Sequence, residues 1–153
     1  MKQIILAVAI LFTHLAAKAG NTDELLRLIN EAAGLNAGIS KFGYKAWYTD
    51  DGKCMIRIAE MIEVFGTKDT DPALYDIDLS NAVLGETVKI LPGKNGKFIL
   101  QFDKRICKKN NRRNVTLEVI FFLGGKSREA EYREMALVVQ DAIKASAAVC
   151  KGA

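Results

Sequence analysis

The hydrophobic period of this chain changes twice, and that change restricts its fold more than any other feature. Leu25, Leu28, Ile29 and Ala32 recur at helical spacing. From Tyr44 to Leu123 the apolar residues alternate with polar ones, the period of a half-buried strand. Met135, Val139, Ala142, Ile143, Ser146 and Cys150 then return to helical spacing in one stripe, about six turns long. The predicted order is a helix, six or seven antiparallel strands and a long C-terminal amphipathic helix, an α+β domain.

Local signals punctuate that order. Asn21 or Thr22 caps the first helix, Asp23 and Glu24 suit its positive end, and Gly34 stops it. Leu35 to Gly43 reads as a connection. Tyr44 to Tyr48 is a strand, Thr49-Asp50-Asp51-Gly52 a turn, and Lys53 onward its partner. Ile58 to Phe65 fits both periods and is read as strand. Gly66 to Pro72 is a polar loop. Leu74–Leu79, with Tyr75, Ile77 and Leu79 inward, and Glu86–Leu91 are strands, and Pro92 to Gly96 is a turn. Lys97–Phe102 and Val115–Leu123 complete the set. The last has both faces apolar near Ile120, Phe121 and Phe122, so each face needs cover. Gly124-Gly125 ends it, and Ser127 caps the final helix, where Glu129 can pair with Arg133.

The first residues read as an export signal. Met1 and Lys2 precede an apolar run from Ile4 to Ala17, broken only by Thr13 and His14, and Ala17-Lys18-Ala19 has the small-x-small pattern of a cleavage site. The expectation is a signal peptide over 1–19 and one exported domain over 20–153, periplasmic or secreted. The run, about 14 residues, is too short to span ~30 Å of hydrocarbon, and no integral membrane segment is expected after cleavage. Removing Lys2 and Lys18 takes the net charge from +4 to +2, so global charge does not argue for nucleic acid. His14 is the only histidine and leaves with the signal. A chain without imidazole has no Ser–His or Cys–His nucleophile pair and no histidine-ligated zinc or haem.

Three cysteines remain, Cys54, Cys107 and Cys150, and in an oxidising compartment two of them pair. All three pairings are open. Cys107–Cys150 is favoured, because it would tie a hairpin strand to the last turn of the final helix, and Cys54 reads as a buried thiol.

The layout resembles the pleckstrin-homology-like superfold, in which a curved antiparallel sheet is closed by a C-terminal helix. Tyr75-Asp76-Ile77-Asp78-Leu79, the strand carrying Ile106-Cys107 and the helix end Ala147-Ala148-Val149-Cys150 resemble small uncharacterised exported bacterial domains of that layout. The extra N-terminal helix, and a last helix without tryptophan, depart from the pattern. Such a resemblance implies a fold and carries no activity.

Chemistry-bearing motifs are sparse. Between Lys104 and Arg113 six of ten residues are basic: Lys104, Arg105, Lys108, Lys109, Arg112 and Arg113. Placed at the tip of a hairpin between the Phe98 and Val115 strands, they would attract an anionic partner, whether a protein or a surface. Their plain alternative is a solvated edge whose charges discourage aggregation. Asp76 and Asp78 share a strand face and could act as acid and base, or simply be solvated. Asp69-Thr70-Asp71 lacks the glycine and terminal glutamate of an EF-hand loop. No serine lies in a G-x-S-x-G or S-x-x-K motif, and no P-loop or dinucleotide fingerprint occurs. Trp47, with Tyr44 and Tyr48, is either core or an exposed contact surface. The reading is a non-enzymatic exported binding or accessory domain without cofactor or metal. The alternative is a soluble carrier, its apolar ligand held in a cavity lined by Phe98, Phe121 and Met135 between sheet and last helix.

Overall fold

The computed structural model describes residues 23–34, 40–93, 97–123 and 129–152. The export signal with His14, the caps at Asn21, Thr22 and Ser127, the Gly124-Gly125 break and part of the Pro92–Gly96 turn lie outside them. The elements run α1 (Asp23–Ala32), β1 (Ser40–Tyr48), β2 (Met55–Val64), β3 (Thr67–Lys68), β4 (Leu74–Asp78), a 3₁₀ turn (Leu79–Asn81), β5 (Val88–Pro92), β6 (Lys97–Phe102), β7 (Cys107–Lys109), β8 (Arg113–Asn114), β9 (Leu117–Phe122) and α2 (Glu129–Cys150). The α+β class and the helix–strands–helix order are those the periodicity gives.

The strands divide into two antiparallel sheets. One has the order β1-β2-β4-β7-β8, with β3 also on β2, and the other is β5-β6-β9. β2 resolves the ambiguous Ile58–Phe65 stretch as strand up to Val64, with Phe65 in the turn that follows; Ile56 and Ile58 face inward and pair with Tyr48 and Ala46 of β1. β1 begins at Ser40, inside the segment expected to be a connection, because Ser40 to Gly43 continues the ladder opposite Val64 to Met61.

One core joins both sheets and both helices. Leu25, Leu28 and Ile29 of α1, and Met135, Val139, Ala142 and Ile143 of α2, turn inward. Ser146 on the same stripe is satisfied by its hydroxyl donating to Ala142 O, 2.8 Å away. Phe98, Leu100 and Phe102 of β6 meet Val119 and Phe121 of β9, all fully buried. The two sheets are tied where Tyr44 Oη donates to Glu118 O at 2.7 Å. Cover on the other face of β9 is incomplete: Phe122 is partly exposed, with Lys97 Nζ 5.1 Å from its ring centroid.

α1 closes the free edge of β1. Asn30 Nδ2 donates to Ala46 O (2.9 Å), its Oδ1 accepts the Ala46 N–H (2.8 Å), and Tyr44 N–H donates to Ala33 O (2.7 Å).

The expected Cys107–Cys150 bridge is not formed. Cys54 pairs with Cys150, with Cα atoms 5.5 Å apart, and Cys107 is a free, buried thiol. The reason is topological. β7 leaves the β6–β9 hairpin and joins the other sheet beside β4, where Cys107 opposes Ile77 with its side chain in the core. Cys54 stands at the end of the β1–β2 turn, held there by Asp50, whose Oδ1 accepts the N–H groups of Cys54 (3.1 Å) and Met55 (2.8 Å). Burial, and then the charge of Asp76, push the Cys107 thiol up to about 12.

Candidate functional site on the outer face of the large sheet

Strand alternation gives the six-stranded sheet a second face, away from the core. The register aligns its side chains in rows. Trp47, Arg57, Asp76, Lys108 and Asn114 form one row across β1, β2, β4, β7 and β8. Lys45, Ala59 and Leu74 form the next, then Gly43 with Met61, then Lys41, Glu63 and Lys68.

The first row is electrostatic. Arg57 holds Asp76 through two bonds, Nε to Oδ1 at 2.6 Å and Nη2 to Oδ2 at 3.0 Å, a fork that matches the carboxylate. Asp76 is only 8% exposed, so it is neither the solvated carboxylate nor the free acid–base partner that its sequence position allows. Asp78 is also engaged. It caps the 3₁₀ turn, accepting from Ser80 N (2.9 Å), Ser80 Oγ (2.5 Å) and Asn81 Nδ2 (2.9 Å). Burial raises its pKa, but the Ser80 and Asn81 bonds outweigh burial and hold it below the ordinary carboxylate value. A depressed folded-state value means stability that is present above about pH 4 and lost as pH falls through the folded value. Asp78→Ala should therefore cost about 1 kcal/mol at pH 7, the scale of a lost cap, and less at pH 3. Urea midpoints measured at both pH values check this; an equal loss at both removes the carboxylate's role.

The basic segment is divided between surroundings rather than gathered at one hairpin tip. The connection from β6 to β9 crosses to the large sheet as the small β7–β8 hairpin, and alternation sends its neighbours to opposite faces. Arg105 is tied down, Nε to Asp103 Oδ1 and Nη2 to Glu86 O, both at 2.9 Å. Lys109 turns to the other face, its Nζ 5.5 Å from the Tyr75 ring centroid. Lys104, Lys108, Arg112 and Arg113 are exposed and make no ion pair among the described residues. Asn110 (φ 48°) and Asn111 (φ 55°) form the tight turn between them, and asparagine tolerates that left-handed backbone better than most residues.

No protein-family model, curated protein or solved structure matches this chain. Its chemistry is therefore read from the site alone.

The middle rows hold what sequence reasoning missed. Ala59 is small, while Trp47, Met61, Leu74 and Pro72 around it are large. The result is a hollow of about 460 Å³ between β1, β2 and the Lys68–Leu74 segment, lined mainly by apolar atoms. The signal was present: Trp47 follows the core residue Ala46 and Leu74 precedes the core residue Tyr75, so strand alternation sends both apolar side chains to the outer face. Trp47 is thus half-buried on the outer face, while Tyr44 belongs to the core. The residues expected to line a ligand cavity are buried. Phe98 stacks on Phe121 at 4.7 Å between centroids, and Met135 is buried with them. Among the described residues no cluster of three or more metal-ligating side chains occurs.

Proposed function

We propose that this chain is an exported, non-enzymatic binding or accessory domain of the pleckstrin-homology-like layout, contacting an anionic surface through the β7–β8 edge. The observation that carries this reading is the set of three exposed cations, Lys108, Arg112 and Arg113, on a short hairpin fixed to β4, with Lys104 exposed just before it; none of the four makes an ion pair among the described residues. Exposed charges of one sign on a fixed backbone raise the encounter rate of an anionic partner. Export is supported by the signal-like sequence over 1–19 and by the Cys54–Cys150 bridge, a bond at home in an oxidising compartment. No helix among the described residues is long and apolar enough to cross a membrane.

Sedimentation with phosphatidylglycerol vesicles tests the reading. The triple variant Lys108→Glu, Arg112→Glu, Arg113→Glu should lose vesicle binding while its melting temperature stays within about 2 °C, since exposed charges contribute little to stability. Binding by the native protein should also fall between low and physiological salt. Lys109→Glu alone should matter less, because Lys109 lies over Tyr75. Unaltered sedimentation of the triple variant would return the hairpin to a solvated edge.

A further inference from the structure

The hollow on the outer face has features that a solvated sheet face does not need. A strand face turned to water is ordinarily polar, yet this one presents Trp47, Met61, Leu74 and Pro72 around a floor of Ala59, itself almost fully buried. Its volume, about 460 Å³, falls in the range of small-molecule sites, ~300–1,000 Å³. It is also too small for a docked helix or domain, which would need a far larger apolar area.

The rim decides the charge of the occupant. Two carboxylates and two lysines line it, and their states differ. Glu63 is already neutralised by Lys41, whose Nζ is 2.9 Å from its Oε1. Asp69 is turned to its own loop, where Oδ1 accepts the Asp71 N–H at 3.0 Å. Lys45 on β1 and Lys68 on β3 are exposed and have no ion pair among the described residues. They stand on either side of β2, so both can lean over the hollow on flexible stems, burying methylenes while keeping their ammonium groups available.

From this complementarity we infer that the hollow binds a small amphipathic anion, with an apolar body on Trp47, Met61 and Leu74 and one carboxylate or sulfonate head between Lys45 and Lys68. A neutral apolar molecule would leave both cations unused, and a cationic one would be repelled by them. The site is separate from the β7–β8 edge: Arg57 and Asp76 lie between it and Lys108, and they neutralise each other.

Trp47 is the only tryptophan in the chain, so its emission reports on the hollow without a label. The probe is decanoate, titrated below its micelle concentration into the full protein with its disulfide intact. Decyltrimethylammonium is the control of equal length and opposite charge. The expected result is a saturable change in Trp47 emission with decanoate and none with the cation at the same concentrations. Lys45→Glu with Lys68→Glu should weaken decanoate binding at least tenfold and leave the fold, read by far-ultraviolet circular dichroism, unchanged. The Lys108, Arg112, Arg113 triple variant should bind decanoate as the native protein does. Absence of saturation, equal binding of the cation, or full affinity in the Lys45, Lys68 variant would each overturn the inference. Loss of decanoate binding in the hairpin triple variant would overturn it as well, by moving the site to the β7–β8 edge.

Discussion

Replacing Cys54 and Cys150 together by serine should lower stability by about 4 to 5 kcal/mol. The bridge closes a loop with a sequence separation of 96, and the chain-entropy account assigns roughly that much to a loop of this length. For a domain of this size the melting temperature should fall by roughly 12–15 °C, measured by calorimetry under non-reducing conditions. The cost falls mainly on the register between α2 and the β1–β2 turn, since Cys150 is the last residue of the helix and Cys54 precedes β2. Cys107→Ser must leave the crosslink intact. In the native protein its thiol should resist alkylation, being fully buried and weakly acidic, and one thiol per chain should react after denaturation. A crosslink lost in Cys107→Ser and kept in Cys54→Ser would refute the pairing.

Phe98→Ala should be nearly as damaging, at about 4 kcal/mol. Phe98 is 0% exposed and lies at the meeting point of three elements. Its ring is 4.7 Å from Phe121 on the neighbouring strand and 5.6 Å, edge-on, from Tyr132 of α2. Truncation removes both contacts and leaves a cavity that β6, held between β5 and β9, cannot easily collapse around. The check is the urea midpoint at an unchanged slope. A loss under ~1 kcal/mol would mean that α2 does not pack on the small sheet.

Much of the fold was legible because single elements obey simple periods. Leu74 to Asp78 showed its inward residues, Lys97 to Phe102 its exact span, and Met135 to Ser146 its buried stripe. Partnership was not legible. The sequence between β6 and β9 suggested one hairpin with a long basic tip, and nothing local in Ile106-Cys107 indicated that this stretch would pair with β4 instead. That one unseen pairing accounts for two errors. It removed Cys107 from the end of α2, and it distributed Lys104 to Arg113 over two faces. The hollow was hidden for a related reason. Trp47, Ala59 and Leu74 lie on three strands, and only the register between β1, β2 and β4 brings them together. Asp78 differs on a smaller scale: strand alternation over Leu74–Leu79 turns it to solvent, whereas the strand ends at Asp78, which caps the turn Leu79–Asn81.

The side chain of Asn30 acts on β1 as a peptide unit of a neighbouring strand would, offering one donor and one acceptor to Ala46. β1 is nine residues long and ends the large sheet, so without that contact its outward N–H and C=O groups would be a template for another chain. The helix therefore covers part of a strand edge as well as contributing Leu25, Leu28 and Ile29 to the core. Among the described residues, the amide of Asn30 and the carbonyl of Ala33 occupy backbone groups of Ala46 and Tyr44 that a strand of a second chain would need.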